Sequence, residues 1–210
     1  MLPLLITIAG IHFVALATPG PDFFFVSRVA LSQGRTAGFK AMLGVSLGVL
    51  LWATLALLGL NILLQKAAWL QQGIMVAGGL YLCYLAYQIF KSVLYAQNVA
   101  DAENPDTQIK QKDNHVFLKG LLTNLSNPKA IIFFASVFSV FIGNLSNENA
   151  KWWILLLIVL ETMLWFSVVA TVFSLPKMQN AYKKAGKWID GCAGALFAGF
   201  GLYLIYSGIV

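Results

Sequence analysis

The chain has 210 residues, 59% of them hydrophobic and 10% charged, with a formal net charge of +6 and a mean hydropathy of +0.77. That balance excludes a soluble globular domain and identifies an all-α integral membrane protein. The basic excess, which in a soluble chain would suggest nucleic acid, is distributed loop by loop, so it reads as orientation in a bilayer.

In chain order the uncharged stretches are Leu2–Thr18, Ala41–Gln65, Ala67–Phe90, Ala130–Asn147, Trp152–Pro176 (interrupted only by Glu161) and Gly191–Val210. At about 1.5 Å per helical residue each crosses, or nearly crosses, a hydrocarbon core of about 30 Å. Six transmembrane helices are therefore predicted, with no room for a soluble domain. The first stretch follows no basic segment and reads as a retained span rather than a cleaved signal.

Arg28, Arg35 and Lys40 fall between spans 1 and 2, Lys91, Lys110, Lys112 and Lys119 between 3 and 4, and Lys177, Lys183, Lys184 and Lys187 between 5 and 6. The alternate connections hold only Lys66 and Lys151. The positive-inside rule puts the three basic loops in the cytoplasm and both termini outside.

The polar stretch from Gln97 to His115 divides the chain. A single transporter domain over 1–210 is expected, made of repeat 1 (about 1–95), a cytoplasmic linker (about 96–114) and repeat 2 (about 115–210). Span 3 contains Gly-Leu-Tyr-Leu-Cys-Tyr, Gly79–Tyr84, and span 6 contains Gly-Leu-Tyr-Leu-Ile-Tyr, Gly201–Tyr206. The first span of each half is also broken at proline, by Pro19-Gly20-Pro21-Asp22 and by Asn127-Pro128-Lys129. Three spans per half force the second copy to enter from the opposite side. Two inverted three-helix repeats with matching discontinuous helices point to a secondary transporter whose site lies between the breaks. From opposite faces, span 1 reaches Pro19 after roughly 25 Å and span 4 reaches Pro128 after roughly 15–20 Å, so the breaks come to similar depth.

Proline is free of cost at the first position of a helix, so Gly20 and Asn127 are expected as N-caps, with Pro21 and Pro128 opening the restarted helices. Such restarts present unpaired N–H groups and a positive dipole end toward the protein centre. A small zwitterion fits there, with its ammonium on Asp22 and its carboxylate on Lys129 or on the amides of the second restart. The plainer alternatives are a first-turn acid at Asp22 and a lysine snorkelling to the inner surface at Lys129.

Glu161 lies about ten residues into span 5, near mid-depth, where a carboxylate suits a proton carrier or hydrogen-bonds a neighbouring Ser or Thr. His12, seven residues before Pro19 on the same face, could join a relay but reads first as a packing residue. Asp190 reads as a cap at the inner start of span 6.

Gly44 with Gly48, and Gly191, Ala195 and Gly199, have the spacing of close helix contacts. Trp69, Trp152, Trp153 and Trp188 form an aromatic belt. Tyr81, Tyr84, Tyr203 and Tyr206 could line the site but read first as core, and Cys83 and Cys192 read as apolar filler without disulfide or metal. Asn124-Leu-Ser126 and Asn144-Leu-Ser146 match the glycosylation pattern and carry no weight.

Pro-Gly-Pro-Asp-Phe-Phe-Phe-Val at Pro19–Val26 and Thr-Asn-Leu-Ser-Asn-Pro-Lys-Ala at Thr123–Ala130 resemble the two signature segments of the lysine exporter and homoserine/threonine resistance family of bacterial amino-acid exporters. The resemblance covers the whole chain. His12–Leu16, Gly78–Cys83, Phe117–Asn124 and Ala185–Gly191 are similar to its threonine efflux branch. It implies export of threonine or homoserine across the bacterial inner membrane by proton antiport, with no cofactor and no enzymatic activity. Amino acid, protons and lipid are then the partners, and homo-oligomerisation stays open. The alternatives are a channel or a thiol-redox carrier. Distant relatives carry redox cysteines beside the two prolines, where this chain has Asp22 and Lys129.

Overall fold

A computed structural model describes residues 2–58, 68–100, 114–134 and 148–209. Among them there is no strand, and eight helices follow one another: α1 (Leu2–Ala17), α2 (Pro21–Gln33), α3 (Arg35–Leu57), α4 (Ala68–Ala100), α5 (Val116–Leu125), α6 (Pro128–Ile132), α7 (Glu148–Phe173) and α8 (Pro176–Ile209). Four of these are long and apolar enough to cross a membrane, and α1 with α2, bent by 59° at their break, counts as a fifth when the bent pair is taken as one span. The chain is an all-helical, multi-span membrane protein. Lys66, the end of predicted span 2, residues 101–113 of the linker, the second half of predicted span 4 and the Asn144–Ser146 pattern lie outside the described residues.

Both breaks fall at their prolines, for the expected reason. The α1 ladder closes with Thr18 N–H on the Val14 carbonyl, and α2 opens with Phe24 N–H on the Gly20 carbonyl. Gly20 is the extended N-cap and Pro21 the first helical residue. In the second break α5 closes with Ser126 N–H on the Leu122 carbonyl, and Ile131 N–H on the Asn127 carbonyl opens α6. Asn127 caps α6, its side-chain oxygen accepting from the Lys129 amide at 3.0 Å. Proline lacks the N–H that would have carried either helix through.

The remaining connections are tight. Gly34, with φ of 87°, turns α2 into α3, a conformation that glycine alone adopts without strain. α8 packs along α4, and α3 packs against α2, α5 and α7. One apolar core joins α2, α3, α4, α7 and α8 through Phe25, Val45, Leu82, Phe166 and Phe197. A second gathers Ile8, Trp52, Phe134 and Ile158 beside the breaks.

Where α4 meets α8 the matching glycines of the two halves face each other. A Cβ on Gly79 would lie 2.6 Å from the Gly201 carbonyl oxygen and 2.7 Å from Ile205, and one on Gly201 would lie 2.7 Å from the Gly79 carbonyl oxygen and 2.6 Å from Cys83 Sγ. Cys83 and Ile205 stand four residues after their respective glycines, so the contact is reciprocal. Gly194 meets Phe90, and Gly208 meets the Gln72 carbonyl, so the two helices run antiparallel.

The structure corrects several expectations. The close-contact row on α8 is Gly194, Gly201 and Gly208, at seven-residue spacing, whereas Gly191 and Gly199 have no neighbour within 4 Å of an added Cβ. Tyr84, Tyr203 and Tyr206 are exposed rather than core, because they flank the glycine seam instead of entering it. α8 begins at Pro176 and not at Gly191, so Lys177 to Lys187 are helical rather than loop. Asp190 therefore sits inside a helix and caps nothing. α4 likewise runs through Gln97 to Ala100, at the start of the predicted linker.

Candidate functional site

The two breaks cross at the centre of the structure, and each restarted helix reaches into the half-helix of the other. Asp22, the second residue of α2, is buried, and its Oδ2 accepts from Asn124 Nδ2 at 2.8 Å and from Asn127 Nδ2 at 2.7 Å. Lys129, the second residue of α6, sends its ammonium back to the Thr18 carbonyl at 2.5 Å, at the end of α1. That contact places a cation on the negative end of the α1 dipole.

Asp22 is thus oriented on one side and unsatisfied on the other. Its Oδ1 is buried with no hydrogen-bond partner among the described residues, and the same holds for Oδ1 of Asn124. A buried acceptor without a donor costs about 1–3 kcal/mol, more when charged, which makes this oxygen a place for an incoming donor. Asn127 spends both ends of its amide, one on Asp22 and one on the Lys129 backbone. The short α6 therefore offers a carboxylate the Lys129 ammonium rather than that amide.

Among the described residues Lys129 is the one charged side chain lining a cavity of about 720 Å³ between α1, α6 and α8, whose walls include Ala15, Phe133, Leu196 and Phe200. Gly20 lies directly beneath its side chain, the added Cβ falling 3.4 Å from Nζ.

A second polar site joins α1 to α7. His12 Nδ1 lies 2.8 Å from Glu161 Oε2, with His12 only 3% exposed and the Glu161 side chain 18%. With the carboxylate ionised, the imidazole N–H donates. Phe133 and Phe134 cover the ring, at centroid distances of 5.4 and 6.5 Å. Glu161 thus finds a histidine rather than a Ser or Thr, and His12 is its hydrogen-bond partner as well as a ring packed on Phe133 and Phe134.

A third cluster lies where α2 crosses α8. Arg28 grips Asp190 with two hydrogen bonds, Nε to Oδ1 at 2.7 Å and Nη2 to Oδ2 at 3.1 Å, and the Tyr182 hydroxyl donates to Oδ2 at 2.7 Å. A bidentate guanidinium–carboxylate pair is the strongest polar tie a helix crossing can make.

The sequence-predicted residues sort accordingly. Pro19, Gly20, Pro21 and Asp22 meet Asn127, Pro128 and Lys129 at the crossing, while His12 and Glu161 form a separate pair along α1 and α7. Asn124 was missed as a site residue, although it lies in the Thr123–Ala130 segment as well as in a glycosylation-like triplet. An asparagine three residues before the N-cap asparagine of a restarted helix, inside an apolar run, is the signal that could have found it. Cys83 is packed at the Gly201 seam and Cys192 is exposed, both as free thiols. Among the described residues no cluster of His, Cys, Asp and Glu could hold a metal ion.

Residues 13–208 match the model of the LysE type translocator family. The chain is 54% identical to the threonine efflux protein of Salmonella typhi and 52% identical to that of Escherichia coli K12, each over 99% of this chain and the whole of the relative. An uncharacterized membrane protein of Haemophilus influenzae is 40% identical over 95% of this chain and 94% of its own. No solved structure matches. The family match spans both breaks and every described helix after α1, and its members are translocators rather than enzymes: the chain belongs to the LysE type translocator family.

Proposed function

We propose that this protein exports L-threonine, and also homoserine, from the cytoplasm across the bacterial inner membrane by exchange against protons. The observation that carries the reading is Asp22: one carboxylate oxygen is held by Asn124 and Asn127, and the other is buried without a partner beside the restart of a broken helix. An ammonium satisfies that oxygen and its charge together. The substrate carboxylate goes to Lys129, whose ammonium borders the cavity between α1, α6 and α8. The threonine call is supported by relatives named for threonine efflux that are more than half identical along the whole chain.

The six spans are proposed to form two inverted repeats of three. The reciprocal Gly79–Gly201 seam and the reciprocal reach of Asp22 and Lys129 support this, since each is what a two-fold axis in the membrane plane produces. Proton coupling is assigned to Glu161 with His12, a pair of titratable groups outside the ammonium site.

Counterflow in proteoliposomes with a panel of labelled amino acids tests the reading. Threonine is expected to exchange saturably, with homoserine competing. If no amino acid moves, the functional reading fails; if a different amino acid moves alone, the substrate assignment fails.

A further inference from the structure

Asn124 stands in the last turn of α5, fully buried, and its position is set from behind by α3. A Cβ at Gly48 would come within 2.5 Å of Asn124 Oδ1, 2.8 Å of its Cβ and 2.9 Å of its Cγ. No other residue type fits at position 48 while the amide stays where it is. The orientation of that amide is also fixed chemically. Nδ2 donates to the Asp22 carboxylate at 2.8 Å, and a flipped amide would set its oxygen against a carboxylate oxygen.

Both amides, from Asn124 and from Asn127, converge on the same oxygen, Oδ2. A carboxylate held by one donor swings about its Cβ–Cγ bond. Two donors from successive helices fix the plane and leave Oδ1 facing away from both.

We propose that Asn124 is a positioning residue for substrate binding, which acts through Asp22 by fixing the oxygen that meets the substrate ammonium, and that position 48 is glycine in order to admit it. The inference rests on the reading of Asp22 as the ammonium site. It adds α3 to the binding apparatus through a contact with no polar partner of its own.

Gradient-free threonine exchange in proteoliposomes tests it, with rates normalised to folded, inserted protein. Asn124→Ala is expected to raise the half-saturating threonine concentration roughly tenfold, the loss of one hydrogen bond to a charged group. The maximal rate is expected to stay within about twofold of the parent, because a site once filled is still carried. Gly48→Ala is expected to move half-saturation in the same direction by displacing the amide.

A structural staple behaves otherwise, lowering the maximal rate or the yield with half-saturation unchanged, and that result overturns the proposal. Should Asn124→Ala fail to insert, Asn124→Ser and Gly48→Ala carry the same comparison. Asp22→Asn separates the two levels: if it keeps normal half-saturation, the ammonium-site reading itself falls. If it loses affinity while Asn124→Ala does not, only the role of Asn124 falls.

Discussion

A carboxylate at membrane depth must be neutralised, paired or used, and the two central acids of this chain meet that demand in opposite ways. Asp22 takes two neutral amides on one oxygen and leaves the other open, whereas Glu161 takes an imidazole. The first arrangement suits a transient cation, the second a proton passed between two titratable partners. Asp22→Asn is therefore expected to lose threonine affinity in every assay, including exchange without a gradient, because an amide cannot balance a buried ammonium. Glu161→Gln is expected to retain that exchange and lose uphill export. His12→Gln, which keeps a donor but carries no titrating proton, should follow Glu161→Gln. If Asp22→Asn exchanges threonine at normal affinity while Glu161→Gln abolishes exchange, the two roles are reversed. Asp22 and Glu161 were both legible in the sequence, since an acid in an apolar run announces itself. The partner of Glu161 was not: His12 lies 149 positions away, and no local period carries a contact over that separation.

At the scale of helices, the prolines and Gly44 with Gly48 were read well, and the glycine row of α8 and the helix lengths poorly. Both restarts begin where proline grammar requires, and Gly44 abuts the Phe117 carbonyl as its spacing implied. Span 6 was cut short because Lys177 to Lys187 read as loop, yet no proline interrupts α8 after Pro176, and a lysine stem reaches water from within a helix end. Asp190 was misread with it. Its real partner is Arg28, and removing one member of such a pair strands the other in a half-buried crossing. Arg28→Ala is expected to cost on the order of 3 kcal/mol, seen as a lower thermal unfolding midpoint in detergent. The exchanged pair Arg28→Asp with Asp190→Arg should recover much of it; no recovery would mean that Tyr182 and local packing, not the ion pair, hold α2 to α8. The seam between α4 and α8 is tested by bulk. Gly201→Leu drives a side chain into Cys83 and the Gly79 backbone, and is expected to destabilise by about 1–3 kcal/mol or more. An unchanged midpoint would show that the two helices can separate freely.

For the molecule as a whole, the fold gathers charges that the sequence scatters. α4 and α8 run antiparallel, Arg28 on α2 reaches Asp190 on α8, the Gln179 side chain reaches the Ala30 carbonyl at 3.4 Å, and Lys119 on α5 donates to Gln88 on α4 at 3.2 Å. Arg28, Arg35, Lys40 and Lys119 therefore share one end of the bundle with Lys177, Lys183, Lys184 and Lys187. Spacing alone assigned these residues to three loops on one side, and the helix contacts bring them together independently of that count. A concentration of basic residues at one end resists translocation, so we propose that this end faces the cytoplasm and the opposite end, with the C-terminus of α8, faces outward. On a background with Cys83 and Cys192 replaced by alanine, an impermeant thiol reagent added outside intact cells is expected to label a cysteine at Ile209 but not one at Lys184. In inverted vesicles the pattern should reverse. Labelling of Ile209→Cys only from the cytoplasmic face would turn the molecule over.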